Sequence, residues 1–135
     1  MRIYLLETIL EEYNSIKYAI PVIVHKRKIL LGLSTANDWR NDKWCFVGGH
    51  IKGHENPYQA AIREAKEETN LDIINDNKAV IKEKAIYILS RLKGGNTKIK
   101  HNGEFSAMGF FDRKELKSLK LAKNTQEILK ALDIY

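Results

Sequence analysis

Cysteine is almost missing from this chain, since Cys45 is the only one among 135 residues. An internal disulfide is therefore excluded, and such a composition is typical of a reducing compartment, so we expect a cytoplasmic protein. No apolar run approaches the length of a membrane span, and no basic segment precedes an apolar signal region, so we expect no membrane association. Repeats, linkers and low-complexity tracts are also lacking. The length suits one domain over residues 1–135.

Acidic residues are outnumbered, with 17 Asp and Glu against 23 Lys and Arg and a net charge of +6. This excess favours polyanionic substrates by electrostatic steering, although a basic surface also aids solubility. Between residues 82 and 100 the basic side chains form a stretch opposed only by Glu83, namely Lys82, Lys84, Arg91, Lys93, Lys98 and Lys100. Nucleotides or an RNA 5′ end would suit it. Tyr87 is its only aromatic residue, however, and a strand edge protected by lysines explains the stretch equally well.

Apolar alternation predicts strands over 17–25 and 28–34 around a Lys26-Arg27 turn, a polar loop over 35–43 and a short strand over 44–47. Asn56 is a good N-cap and proline suits a first turn, so a helix is predicted from Pro57 to Thr69. The expected inner stripe of this helix is Tyr58, Ala61, Ile62, Ala65 and Thr69.

The second half of the chain predicts a long strand over 78–92, either continuous or broken, and a two-residue hairpin at Asn102-Gly103 between 97–101 and 104–111. A short helix is expected from about Asp112, and a last one capped by Asn124 or Thr125 and ending near Leu132. Residues 1–14 fit either a helix or a strand. Mixed strands with a central helix and C-terminal helices predict an α/β sandwich.

Three glutamates stand at helical spacing behind a glycine-rich loop. Glu64, Glu67 and Glu68 occupy positions i, i+3 and i+4 and share one helix face. They lie near the helix C-terminus, where the dipole prefers cations, so this face is locally unfavourable unless a cation compensates. Oxygen ligands suit Mg²⁺ (or Mn²⁺). A solvated acidic face is the ordinary alternative.

Segment 49–71 resembles the signature of the Nudix hydrolases, G-x5-E-x7-R-E-U-x-E-E-x-G-U with U a bulky aliphatic residue. The residues in register are Gly49, Glu55, Arg63, Glu64, Glu67, Glu68 and Leu71. Ala65 stands where a larger aliphatic residue is usual, Val47 stands where proline often precedes the paired glycines, and Asn70 replaces the final glycine. Asparagine is the residue next best able to adopt the left-handed conformation that ends a helix, so the backbone role of this position is expected to survive.

The resemblance implies a Nudix-type α/β/α sandwich with a mixed β-sheet and a Mg²⁺-dependent pyrophosphohydrolase. Glu64, Glu67, Glu68 and Arg63 are expected to be catalytic. The three glutamates are expected to bind the metal, and the resemblance adds a carbonyl oxygen of Gly49. Arg63 and Glu55 are expected to orient the site through an ion pair that holds loop and helix together. A plain surface salt bridge is the alternative for Arg63. Glycines 48, 49 and 53 would let the loop backbone approach metal and phosphates.

Outside the signature, the run Glu104 to Phe111 resembles a Nudix segment whose glutamate serves as general base or further metal ligand. An exposed glutamate beside a hairpin is the alternative. Trp39 and Arg40 lie in the polar loop, where the ring could stack on a nucleobase and the guanidinium could meet phosphate, unless both only pack the loop.

The histidine and cysteine residues do not predict a zinc site. His50 and His54 lie in the loop without a helical pattern, and no cysteine pair supports them. Cys45 and Trp44 alternate with apolar neighbours in the predicted strand over 44–47. Both are expected in the core, with Cys45 a small core residue rather than a nucleophile.

The expected substrate is a nucleoside diphosphate linked to another moiety X: a nucleoside triphosphate, a nucleotide sugar or ADP-ribose, a dinucleoside polyphosphate or 5′-phosphorylated RNA. A small diphosphate-containing molecule is thus the expected partner, and the protein is expected to be a monomer or homodimer. A non-catalytic Nudix-like domain that binds nucleotide or RNA is the alternative, although such domains usually lose signature carboxylates. A basic nucleic-acid-binding module rests on charge alone.

Overall fold

A computed structural model of the chain describes residues 2–4, 15–101 and 103–134. Within these ranges the strands are β1 (Arg2–Tyr4), β2 (Tyr18–His25), β3 (Lys28–Ser34), β4 (Trp44–Cys45), β5 (Gly49–His50), β6 (Ile73–Lys82), β7 (Ala85–Leu92) and β8 (Phe105–Phe111). The helices are α1 (Pro57–Thr69), α2 (Arg113–Leu116) and α3 (Thr125–Ala131). In the part of the chain that the structure describes, no helix is long and apolar enough to cross a membrane.

The strands form one mixed sheet in the order β1-β6-β7-β2-β3-β4, with β5 on β2 and β8 on β3. The β2–β7 ladder is parallel, whereas the other ladders are antiparallel. Ala65 of α1 packs with Ile23 on one face, while Ile128 of α3 and Leu116 of α2 pack with Val22 on the other. Adjacent residues of β2 therefore point into opposite layers. The predicted α/β sandwich with a mixed sheet is confirmed.

Strands β2 and β3 separate soon after the turn that joins them. Lys26 and Arg27 have φ of 49° and 63°, as a two-residue primed hairpin turn requires. The ladder then covers only Val24–Ile29 and His25–Lys28. Farther on, β5 pairs with β2 and β4 pairs with β3, so the chain between β4 and β5 crosses from one strand to the other. The predicted strand over 44–47 accordingly ends at Cys45.

The strand predicted over 78–92 is broken, which that prediction left open, and β6 begins earlier, at Ile73. A turn at Glu83, whose φ is 57°, folds β6 back on β7. The predicted hairpin at Asn102-Gly103 is wrong: residues 97–101 form no strand, and Asn102 lies outside the described residues. Strand β8 pairs instead with β3, which is far away in sequence. This long-range pairing buries Phe105 in the core and outweighs the local turn signal.

Helix α1 has the predicted limits. The Asn56 side chain accepts a hydrogen bond from the Gln59 backbone N–H, and the Gln59 side chain accepts one from the Asn56 backbone N–H. Together these two bonds form a complete capping box. Asn70 adopts the predicted left-handed conformation, with φ 67° and ψ 14°. The predicted inner stripe is wrong at Ile62, which is 42% exposed, while Glu64 and Glu68 are buried. Helix α1 thus turns two carboxylates inward, which apolar periodicity alone cannot anticipate.

Helices α2 and α3 begin at the positions predicted from their capping residues. Asp112 caps α2 with a capping box, and Asn124 precedes α3, although its side chain makes no capping bond. Of the ambiguous residues 1–14, the segment Arg2–Tyr4 is a strand that pairs with β6. The remainder of that segment lies outside the described residues.

Candidate active site

A cleft of about 730 Å³ opens where β2 and β3 separate. Its walls come from the ends of both strands, from the crossing segment between β4 and β5, and from the chain before β8. The residues that line the cleft include Gly48, Gly49, Thr35, Trp39, Arg40 and Glu104. The strand separation thus joins segments that are distant in sequence.

Arg63 uses all five of its N–H groups. Nε and Nη2 donate to the two carboxylate oxygens of Glu55 at 2.7 and 2.9 Å. Nη1 donates to Glu64 and Glu67, both at 3.0 Å, and Nη2 also donates to the His50 carbonyl at 3.0 Å. The predicted loop–helix ion pair is present, and the guanidinium fork holds α1, the loop and β5 together. The alternative of a plain surface salt bridge does not describe this residue.

The Glu55 carboxylate is fixed on both sides. Its Oε1 accepts the Lys52 backbone N–H at 3.0 Å, while its side chain is only 8% exposed. Chiefly through the hydrogen bonds from Arg63, the pKa of Glu55 falls to about 2, and the pKa of Arg63 rises for the same reason. Both groups are therefore charged over the whole physiological range.

Glu64 and Glu68 form a buried carboxyl pair, 8% and 4% exposed. Burial, followed by the hydrogen bond to Glu64 and its charge, raises the pKa of Glu68 to about 9, with a further contribution from the charge of Glu104. A backbone hydrogen bond from Gly48 acts in the opposite direction. Glu68 Oε2 is buried and has no hydrogen-bond partner. An acceptor oxygen in this position suits a cation.

Glu67 is more exposed than this pair. Its side chain is about half exposed, and its Oε2 contacts Arg63 instead. Among residues 2–4, 15–101 and 103–134, no three His, Cys, Asp or Glu side chains are gathered as a metal-binding group. The three signature glutamates therefore share a helix but differ in burial. Glu67 remains next to Glu64 through the guanidinium, because Arg63 Nη1 donates to both carboxylates at 3.0 Å.

Two of the three loop glycines are required by close contacts. A Cβ on Gly49 would lie 2.5 Å from Glu64 Oε1, so only glycine lets the carboxylate reach this backbone. Gly48 has φ of 156°, and a Cβ there would lie 2.8 Å from the Ala19 carbonyl oxygen. Gly53 differs from the expectation, because a Cβ there would meet no atom within 4 Å.

Comparison with known proteins decides the family. A family model described as NUDIX domain matches residues 16–132. The chain belongs to the Nudix family. A search of curated proteins gives no match.

Solved structures support the same Nudix fold. An ADP-ribose pyrophosphatase from Streptococcus suis is 28% identical with a TM-score of 0.65, and the alignment covers 85% of this chain and 87% of that one. A Nudix hydrolase from Nitrosomonas europaea is 20% identical with a TM-score of 0.69, over 84% of this chain and 66% of that one. An Ap4A hydrolase from C. elegans is 22% identical with a TM-score of 0.67, over 87% and 93%. The prediction of a Nudix hydrolase is confirmed.

In this Nudix chain, Glu104 lines the cleft and immediately precedes β8. Its side chain is exposed, and its charge acts on Glu68. Its carbonyl accepts two hydrogen bonds from Thr35, one from the backbone N–H and one from the hydroxyl, both at 3.0 Å. The position suits the predicted catalytic role, which stays a prediction.

Trp39 and Arg40 lie at the cleft, but Arg40 is already engaged. Its guanidinium is 2.8 Å from Asp38 Oδ2 and 5.9 Å from the centroid of the Trp39 ring. Trp39 is 55% exposed. A phosphate would therefore have to share Arg40 with Asp38, whereas the Trp39 ring is accessible for stacking.

The basic stretch over 82–100 is partly neutralised. Lys82 contacts Glu127, and Arg91 Nε lies 3.0 Å from Asp76. Lys84, Lys93, Lys98 and Lys100 contribute charge to the same half of the chain. The stretch is thus less available to an anion than the sequence predicts.

Sequence reasoning missed the interior of the cleft. The rings of Phe46 and Tyr87 pack edge to face with centroids 5.9 Å apart, and Asn124 hydrogen-bonds to Tyr87. At the mouth, the Tyr18 and His50 rings lie 4.5 Å apart on paired strands. These residues come from four separate segments, so no local pattern could have revealed them.

The core assignment is confirmed for Cys45, whereas Trp44 lies at the margin of the core. Cys45 is buried, and burial raises the pKa of its thiol to about 11, so it is a core residue and not a nucleophile. Trp44 is half-buried and packs edge to face on Phe111, with ring centroids 4.8 Å apart.

Proposed function

We propose that this chain is a Mg²⁺-dependent pyrophosphohydrolase that cleaves a nucleoside diphosphate linked to another moiety X. The observation that carries the proposal is the unpartnered buried Oε2 of Glu68, next to Glu64 and to the close glycine backbone. A buried acceptor without a donor is costly, and a divalent cation would satisfy it.

Glu64, Glu68 and the carbonyl of Gly49 would hold the cation, with Glu67 as a further ligand. All of these donors are hard oxygens, which fits Mg²⁺ or Mn²⁺. When bound, the cation would neutralise phosphate charge and lower the pKa of a water molecule. Without it, repulsion between the carboxylates and burial keep the proton on Glu68.

The chain's own residues would divide the remaining tasks. Arg63 would hold α1, Glu55 and the His50 carbonyl in fixed relation, so that the ligands keep their places. Glu104 would accept a proton from the attacking water at the cleft. The glycine backbone at 48 and 49 would allow phosphate to approach.

Substrate recognition would use the rings that line the cleft. Trp39 is accessible for stacking on a base, and Phe46 and Tyr87 offer an apolar interior. Three proteins of similar structure are an ADP-ribose pyrophosphatase, an Ap4A hydrolase and a UDP-X diphosphatase, which supports a nucleotide-derived substrate. The net charge of +6 also favours a polyanion.

A substrate panel with Mg²⁺ and with Mn²⁺ tests the proposal. ADP-ribose, dinucleoside polyphosphates, nucleotide sugars, nucleoside triphosphates and 5′-triphosphorylated RNA would be incubated with the protein, and products separated by chromatography. We expect metal-dependent cleavage of at least one diphosphate bond. Glu68→Gln should lower that rate by orders of magnitude, because the variant keeps the shape but loses the charge.

Glu83→Gln is the matched control, since Glu83 is exposed at the β6–β7 turn. Its rate should equal that of the unmodified protein. Binding of nucleotide without turnover would favour the non-catalytic alternative. Full activity of the Glu68 variant would refute the metal assignment.

A further inference from the structure

The first residue of one cleft loop holds the backbone of another. Thr35 directly follows β3, and both its backbone N–H and its hydroxyl lie 3.0 Å from the carbonyl oxygen of Glu104. The same hydroxyl is 3.3 Å from the Gly103 carbonyl. Both lone pairs of the Glu104 carbonyl are thus used, although the two residues are 69 positions apart. A carbonyl group whose oxygen accepts two hydrogen bonds has little freedom to rotate.

A register shift brings these two residues together. The β3–β8 ladder pairs Leu33 with Ala107 but Ser34 with Phe105, so Ser106 is an extra residue on β8. Continuing the first register would have placed Phe105 opposite Thr35, whereas the bulge places Glu104 there. Bulges often redirect a side chain beside an active site.

A second contact fixes the residue that follows Glu104. Phe105 is buried, and its ring occupies the space that a side chain at position 32 would need: a Cβ on Gly32 would lie 2.5 Å from Phe105 Cδ1. The end of β3 therefore holds both residues: Gly32 leaves the space for the Phe105 ring, and Thr35 hydrogen-bonds to the Glu104 carbonyl.

We propose that Thr35 is a positioning residue whose hydroxyl fixes the backbone of Glu104 and so holds the Glu104 carboxylate in place at the cleft. This inference rests on the proposed function, because Glu104 matters to rate only if the cleft hydrolyses a diphosphate. Thr35 does not itself touch the reacting atoms.

Thr35→Val removes the hydroxyl and keeps the branched shape and the backbone N–H, whereas Thr35→Ser keeps the hydroxyl. We expect Thr35→Val to lower kcat about threefold to tenfold, as the loss of one hydrogen bond implies, with KM changed less than about twofold. Thr35→Ser should restore kcat. Ser118→Ala is the matched control, because that hydroxyl also bonds a backbone carbonyl, of Glu115 at 2.8 Å, outside the cleft.

A double-mutant cycle with Glu104→Gln separates positioning from general damage. If Thr35 acts through Glu104, the Thr35→Val effect on kcat disappears in the Glu104→Gln background. An equal effect in both backgrounds would overturn the inference, and so would a Thr35→Ser variant as slow as Thr35→Val.

Backbone ¹⁵N relaxation of the metal-free protein provides a readout that needs no turnover. The order parameter of the Glu104 amide should fall from about 0.85 toward about 0.6 in Thr35→Val and remain high in Thr35→Ser. Unchanged order in Thr35→Val overturns the inference whatever the activity. Absence of metal-dependent hydrolysis in all variants, with the order lost as expected, would instead refute the proposed function.

Discussion

Replacing Glu68 by glutamine should stabilise the metal-free protein and should do so more at high pH than at low pH. The unfolded chain releases this proton near the ordinary pKa of 4.5, whereas the native protein holds it to about 9. Between these values the native state binds more protons than the unfolded state, so the free energy of unfolding falls as pH rises. Glutamine resembles the protonated carboxyl and cannot ionise, which removes this loss.

The magnitude follows from the size of the shift. One pKa unit corresponds to about 1.4 kcal/mol, so at pH 7 the native protein has lost up to about 3 kcal/mol through Glu68. The new amide N–H groups can donate to the neighbouring Glu64 carboxylate, so burial of the amide offsets only part of the gain. We expect Glu68→Gln to raise the free energy of unfolding by about 1 to 3 kcal/mol at pH 7 and by about zero at pH 4.5.

Urea unfolding at several pH values between 4.5 and 9, at constant ionic strength and with chelator, measures this difference. Glu67→Gln is the matched control on the same helix, because Glu67 is half exposed and pairs only with Arg63. The free energy of unfolding of this control should stay within about 1 kcal/mol of that of the unmodified protein, and the difference should not change with pH. Saturating Mg²⁺ should reverse the order, since ligand at a hundredfold excess over Kd adds about 2.7 kcal/mol to the protein that binds it.

Parallel stability curves for Glu68→Gln and the unmodified protein would refute the reasoning. They would mean that Glu68 is ionised in the metal-free protein, and that its buried Oε2 has a partner.

Substitutions at three further positions test other parts of the site. Asn70→Gly should leave thermal stability unchanged or slightly higher, while Asn70→Val should cost about 1 kcal/mol or more, because a β-branched residue is strained at φ 67°; equal melting temperatures would contradict this. Arg63→Lys should lower kcat/KM at least about tenfold, since an ammonium cannot replace five directed N–H groups, and a near-normal rate would show that the fork is dispensable. Trp39→Ala should raise KM more than it lowers kcat, and kcat/KM should fall steeply with added salt; insensitivity in both measurements would remove the stacking and steering arguments.

Capping and turn residues in the sequence correctly predicted those elements whose limits depend only on neighbouring residues. Asn56 and Pro57 define the start of α1, and Asn70 its end, so the helix bounds needed no knowledge of the fold. The hairpin predicted at Asn102-Gly103 failed because a two-residue turn is a weak local preference. Pairing of β8 with β3 buries Phe105 and forms far more contacts than a two-residue turn, so it determines the structure of this segment.

The site was predictable only where it lies on one continuous segment. Glu64, Glu67, Glu68 and Arg63 share a helix, so spacing alone brings them together. Their different environments could not be read from spacing, because burial of Glu68 and exposure of Glu67 depend on where the sheet lies. The cleft interior was missed altogether, since strand separation assembles it from distant segments.

The separation of β2 and β3 also divides the protein into parts that can change at different rates. The loop over 36–43 lies outside the sheet ladders and carries Trp39 at the rim of the cleft. Its length and composition can vary without moving α1 or the crossing segment, which packing and the Arg63 fork hold in place. Mutation can therefore explore new substrates at the rim while the hydrolytic chemistry beneath is preserved. One scaffold can in this way serve many diphosphates, and the rim of this chain, rather than its signature, is the part on which selection for a particular X would act.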